Sequence, residues 1–209
     1  EANMFYEGQS TYYYFKNAIP IEKCDEILAH FKKRKPREAL VGNLNKSPTT
    51  TKDKKFLAKT RNSSVVFDNP DWIYGLINPL FAEANRGANW NLEHDYNEAF
   101  QFTIYKKNQF YTWHSDTGKI YYDNPDPNFR GKTRKITAVT ILSNPGEFSG
   151  GNLQFKVLES DKVITYTPKE VGTKGSVIVF PSHTLHRVTP VTKGVRYSLV
   201  LWSCGLPLR

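Results

Sequence analysis

Gly175-Ser-Val-Ile-Val-Phe-Pro181, Ser182-His-Thr-Leu-His186-Arg-Val-Thr-Pro190 and Val191-Thr-Lys-Gly-Val-Arg196-Tyr-Ser198-Leu-Val-Leu-Trp202 run on without a break, and their reading decides the fold. The first piece is a short apolar run closed by proline, the pattern of a buried strand. In the last piece Arg196 and Ser198 lie two residues apart, so on an extended chain they share a face. A guanidinium inside a strand needs an anion. A carboxylate held by the arginine fork and a serine hydroxyl meets that need.

The strand pattern extends upstream. Expected strands are Trp90–Glu93, Ala99–Tyr105, Lys135–Ser143, Asn152–Val157, Val163–Tyr166, Ser176–Pro181, Arg187–Pro190 and Val195–Trp202. Turn signals at Gly146, Gly150-Gly151, Gly172, Gly175 and Gly194 separate several of them. Short strands at this spacing predict a sandwich or barrel. Before residue 99 the chain is mixed. Tyr12–Phe15 and Ser63–Phe67 read as strands, and Ile21 to about Lys35 as a helix ended by Pro36. A second helix follows Asp68-Asn69-Pro70, with Trp72, Ile73, Leu76, Ile77, Leu80 and Phe81 on its apolar side and Gly87 at its end. Residues 42–60 are polar and read as a loop. The aromatic, proline-bearing stretch 119–134 reads as a long loop, suited to a lid or a substrate wall.

Chain length of 209 residues fits one domain. The expected division within it is a helical support over 1–98 and a core over 99–209. The net charge of +9 suits solubility or an acidic partner. Cys24 and Cys204 lie far apart and outside any CxxC spacing, which argues against a disulfide scaffold or a zinc site. A reducing compartment follows: cytoplasm, or host cytoplasm for a phage-encoded chain. No apolar run reaches about 18 residues, so no membrane span is expected.

Among five histidines, His114 stands two residues before Asp116. On an extended segment both side chains point the same way. Two imidazoles and a carboxylate can hold one face of a ferrous ion and leave the other open. His183 and His186 compete to supply the second imidazole. They lie three apart and would face opposite ways on a strand. His186 is preferred, because it begins the segment leading into the Arg196 strand while His183 sits in the preceding turn.

At these residues the chain resembles the 2-oxoglutarate- and Fe(II)-dependent dioxygenases, and within them the prolyl-hydroxylase branch that includes the PKHD-type hydroxylases. The segments that carry the resemblance are Tyr105 to Asp116, Arg134 to Ser143, Glu147 to Phe155, and Phe180 to Trp202. It implies a mainly β fold with flanking helices around a double-stranded β-helix, or jelly roll. It also implies iron bound by His114, Asp116 and His186, and 2-oxoglutarate held through its distal carboxylate by Arg196 and Ser198. Tyr105 would line the cosubstrate pocket, while Tyr111 is read as packing beside the site. The implied reaction consumes O2 and 2-oxoglutarate, with ascorbate as reductant, and hydroxylates proline in a protein or peptide, releasing succinate and CO2. Asp116 disfavours the halogenating relatives, which lack the carboxylate ligand. Trp202 stands where AlkB-type nucleic-acid demethylases carry a second arginine. Arg196, rather than lysine, separates the chain from collagen-type enzymes. Three other readings are hydroxylation of another amino acid or side chain, an inactive jelly-roll binding module, and nucleic-acid binding around Lys119-Ile-Tyr-Tyr122.

Overall fold

Ile136-Thr-Ala-Val-Thr-Ile141 is apolar on nearly every position, yet its side chains divide between two cores. Ile136 and Ala138 pack with one set of buried residues, Val139 and Ile141 with another. This is the behaviour of a strand covered on both faces, and it organises the molecule. The computed structural model describes residues 2–6, 9–41, 50–118, 120, 122–159, 162–169 and 172–207.

The chain opens with β1 (Ala2–Tyr6), β2 (Gln9–Phe15), α1 (Ile21–Lys32) and β3 (Arg37–Glu38). Next come α2 (Thr51–Thr60), β4 (Arg61–Asn62), β5 (Ser64–Asp68) and α3 (Asp71–Gly87). The strands β6 (Tyr96–Asn97), β7 (Phe100–Tyr105), β8 (Phe110–His114) and β9 (Thr133–Ile141) follow. After them lie β10 (Phe148–Gly150), β11 (Leu153–Glu159), β12 (Lys162–Tyr166) and β13 (Val177–Pro181). The chain continues through β14 (His186–Val188), β15 (Val191–Gly194) and β16 (Arg196–Gly205).

The larger sheet runs β1-β2-β13-β9-β16-β7-β5-β3, with β6 attached to β16. The smaller runs β12-β11-β14-β8-β4. One core lies between the sheets, built on Tyr12, Phe155, Ile178, Phe180 and Val191. The other lies between the larger sheet and the helices, where Ile27 and Phe31 of α1 and Ile73, Ile77 and Phe81 of α3 meet Phe100, Phe102, Leu199 and Leu201. The result is a jelly roll with helices on one outer face, as the sequence predicts. Strands β2 and β5, from the first third of the chain, pair directly with β13 and β7. No helix among the described residues is long and apolar enough to cross a membrane.

Two local expectations are corrected. Residues 42–49 lie outside the described residues, but 51–60 form α2 rather than loop. Thr50 accepts a hydrogen bond from the Asp53 backbone N–H at 3.1 Å and donates its hydroxyl to the Asp53 carboxylate at 2.6 Å. This cap starts a helix of lysines, Ala58 and Leu57, good helix formers with only Leu57 buried, so no apolar stripe announces it. Trp90–Glu93 is not a strand. Asn89 and Asn91 adopt positive φ, and the Asn85 side chain bonds both backbone groups of Leu92, which folds the segment on itself.

The described part of 119–132 is a set of turns, and Thr133 and Arg134 already belong to β9. Asn128 N–H donates to Asp126, Arg130 donates to the Asn124 carbonyl, and Phe129 packs edge-on against Tyr96. Lys119 and Tyr121 of the nucleic-acid reading lie outside the described residues.

Candidate functional site

Cross-strand register assembles the site. His114 ends β8 and His186 begins β14, and the two are direct partners across that pair. Asp116 lies just past β8, where its backbone N–H donates to the Ser182 carbonyl at 2.8 Å. One donor atom from each of these three side chains lies within 4.8 Å of the others. His114 Nε2 is 3.7 Å from Asp116 Oδ1, and His186 Nε2 is 3.6 Å from Asp116 Oδ2. Each imidazole is oriented by its own chain, Nδ1 contacting the Thr112 carbonyl in His114 and the Thr184 carbonyl in His186, both at 2.8 Å. A carbonyl can only accept, so Nδ1 carries the proton and each Nε2 lone pair points at the cluster. His183 is not part of the cluster.

The surroundings fix these groups. Thr137, on the inward face of β9, donates its hydroxyl to Asp116 Oδ2 at 2.8 Å and contacts the Ser182 hydroxyl at 2.9 Å. Tyr111 stacks on His114 with centroids 3.5 Å apart, and Phe180 meets His186 edge-on at 4.7 Å. Burial, reinforced by His186, pushes His114 far below the usual imidazole range, with Asp116 opposing. Burial works to raise Asp116, but His186, His114 and Arg134 outweigh it and hold the carboxyl low. The cluster therefore presents a neutral imidazole at His114 and an ionised carboxylate, the forms that bind metal.

The cluster lines a cavity of about 220 Å³ between the sheets. Arg196 of β16 lies in its depth, 2% exposed. Its Nη1 donates to the Ser198 hydroxyl at 3.1 Å, and its guanidinium lies 5.5 Å from the ring of Tyr105, its cross-strand partner. Burial lowers its pKa below the usual arginine value. Among the described residues no carboxylate forms an ion pair with it. Gly151 makes room for this side chain, because a Cβ there would fall 2.9 Å from Arg196 Cδ, and its φ of +60° also favours glycine. All six expected site residues thus line one cavity: His114, Asp116 and His186 as one cluster, Arg196, Ser198 and Tyr105 as another.

Sequence reasoning did not single out Thr137, Ser182, Arg61 or Arg134 as site residues. Thr137 carries a weak signal, since Thr140 is a second threonine in the run from Ile136 to Ile141 and only the parity of Thr137, shared with Val139, sets it on the cavity side. Arg134 forms a bidentate pair with Glu98 at 2.6 and 2.7 Å and stacks on Trp202 at 3.6 Å. Trp202 Nε1 is buried without a hydrogen-bond partner among the described residues.

Comparison with known proteins agrees with this geometry. Residues 100–204 match the family model of the 2OG-Fe(II) oxygenase superfamily. A PKHD-type hydroxylase of Xylella fastidiosa (strain M23) is 33% identical over 104 residues, which is 49% of this chain and 42% of that protein. One from Teredinibacter turnerae is 28% identical over 102 residues, 49% of this chain and 41% of that protein. The match thus spans about two fifths of these relatives' length. Among solved structures, the chain is similar to a viral collagen prolyl hydroxylase from Paramecium Bursaria Chlorella virus-1 in its 2OG complex. The TM-score is 0.64 at 21% identity, over 94% of this chain and 97% of that one. A prolyl hydroxylase from Trichoplax adhaerens, in complex with a hypoxia inducible factor peptide fragment, gives 0.66 at 16% identity, over 92% and 83%. At these identities the structural likeness establishes the jelly-roll fold.

Proposed function

This chain belongs to the 2OG-Fe(II) oxygenase superfamily, and from that premise we propose that it hydroxylates prolyl residues in a protein or peptide, consuming O2 and 2-oxoglutarate and releasing succinate and CO2. The observation that carries the reading is a three-donor cluster and a buried, carboxylate-free guanidinium in one cavity. The donor set fits ferrous iron, which takes two imidazoles and one carboxylate on a face. Arg196 fits the distal carboxylate of 2-oxoglutarate, because a buried cation left with neutral partners is costly and a dicarboxylate completes it.

In this reading His114 and His186 present their Nε2 atoms, Asp116 supplies the charge, and Thr137 keeps the carboxylate from rotating. Iron, when bound, supplies oxygen activation. Arg196 and Ser198 hold the cosubstrate, and Tyr105 closes the wall beside them. The packed aromatics Tyr111 and Phe180 exclude water from the donors. The prolyl substrate is supported by the prolyl hydroxylases among the similar structures, one of them with a peptide. Ascorbate as reductant and a cytoplasmic location belong to the same proposal, the latter supported by the free thiols of Cys24 and Cys204. Hydroxylation of another side chain would use the same cavity.

The test is turnover of 2-oxoglutarate to succinate with iron present, followed by mass spectrometry of peptides for the gain of one oxygen on proline. His114→Ala and Asp116→Ala are expected to abolish both signals. Turnover that survives either substitution overturns the site.

A further inference from the structure

At one end of the larger sheet the inward face runs on toward its edge at β3. Beside the cavity, residues of β3, β5 and β7 line a second hollow of about 270 Å³. It shares Leu40, Arg61, Phe67 and Gln101 with the first, so the two are continuous. Arg61 stands at the join. It lies on β4, in the sheet opposite Arg196, and is 7% exposed. Its Nε donates to the Ser63 hydroxyl at 2.9 Å and its Nη1 to the Leu40 carbonyl at 3.3 Å. Its Nη2 is buried with no hydrogen-bond partner among the described residues. Among the described residues no carboxylate forms an ion pair with it. A second cation, Arg37, lines the hollow and is held 5.0 Å over the Phe67 ring. Glu38 also lines it, and both it and Arg37 are exposed on the edge strand, where water screens their charges.

A guanidinium buried among neutral acceptors, with one N–H pair unmet, is an incomplete site. Arg196 presents the same deficit, and the cosubstrate accounts for it. Arg61 is a separate deficit on the opposite wall. We infer that Arg61 is a subsite for the side-chain carboxylate of an Asp or Glu in the polypeptide substrate, two or three residues from the hydroxylated position. This rests on the hydroxylase reading above. The spacing follows from the stack. The Arg61 guanidinium lies 4.5 Å from the Tyr111 ring, which lies 3.5 Å from His114. An extended chain advances about 3.3 Å per residue, so two or three residues cover that depth. Leu40 and Phe67 offer apolar walls to the acid's methylene groups, and Arg61 offers its open edge to the carboxylate. A lysine at the same place would meet the buried Arg61 cation.

The test uses short blocked peptides centred on proline, with Glu, Gln or Lys at each flanking position, incubated with the protein, iron and 2-oxoglutarate. Hydroxylated peptide is quantified by mass spectrometry. At one flank the Glu peptide is expected to exceed its Gln counterpart in kcat/KM by roughly ten-fold or more, with Lys lowest. Arg61→Met is expected to bring Glu and Gln to parity, and Arg61→Lys to keep part of the preference. Equal Glu and Gln rates in the unmodified protein overturn the subsite, whether or not the variants fold. A preference that persists in Arg61→Met overturns the assignment to Arg61. Succinate formation with no peptide hydroxylated overturns the polypeptide subsite and leaves the cosubstrate chemistry standing. Absence of succinate in every reaction overturns the hydroxylase reading on which both rest.

Discussion

The larger sheet shows two faces built from the same strands. Facing the helices are Phe102, Ile136, Ala138, Leu199 and Leu201, with Thr140, the cross-strand partner of Leu199, as a buried hydroxyl among them. Facing the smaller sheet, one residue along in each case, are Thr103, Thr137, Ser198 and Trp202, all lining the cavity. The outward face depends on volume and burial, which many apolar combinations satisfy. The inward face depends on identity, because its polar atoms have assigned partners. Stability and chemistry are thus separated by parity along the chain rather than by segment.

Substitutions on each face can break that separation. Phe102 is fully buried and stacks on Phe31 at 5.2 Å. Phe102→Ala is expected to cost about 3–5 kcal/mol of stability, read as a fall in the urea midpoint. The 2-oxoglutarate KM of the folded protein should stay the same, and a KM that moves in step with stability would join the two faces. Arg196→Ala should do the reverse. It is expected to weaken cosubstrate binding by about 2–5 kcal/mol, as for one partner removed from a buried charge pair, with stability kept or raised because a buried charge is gone. Calorimetric titration and thermal melting read the two effects separately. Thr137→Val keeps the shape and removes the hydrogen bond to Asp116. Metal affinity is expected to fall by about ten-fold or more, measured by competition with a chelator. An unchanged affinity would reduce Thr137 to packing.

The smallest effect belongs to the helix side. Asp68 receives His30 Nε2 at 2.6 Å and pairs with Arg34, tying α1 to the end of β5. Burial opposes its ionised form, but the His30 hydrogen bond and Arg34 prevail, so its pKa lies below the usual 3.8. A lowered pKa adds stability above that value, lost as pH falls through the folded one. Asp68→Asn should therefore cost about 0.5–1 kcal/mol at neutral pH and nothing in strong acid, when pH-dependent melts are compared. A cost independent of pH would mean that packing, not charge, ties α1 to β5.

Parity also explains what could be read from the chain. The Arg196–Ser198 spacing follows from period-two geometry, and both line the cavity; Asp116 reaches the cluster from a bend just past β8, and His186 is preferred because it begins the segment leading into β16 while His183 sits in the turn. Arg61 was not legible. It follows a polar stretch with no period, and its burial arises only because β4 pairs with β8 and sets Arg61 against Tyr111. Helix α2 was hidden for a related reason: its stability comes from a cap and from residue propensity, which leave no apolar stripe. Trp90–Glu93 misled because aromatic and apolar residues there serve a turn folded around Asn85.

The register pairs also bear on how such a chain can change over generations. Arg196 is opposite Tyr105, and His186 is opposite His114. Loss or gain of a single residue within β16 would turn Arg196 and Ser198 toward the helices and bring Leu199 to the cavity. The turn at 144–147, lying between strands, carries no such parity. Length variation is therefore expected to collect in the turns, while the site-bearing strands change by substitution alone.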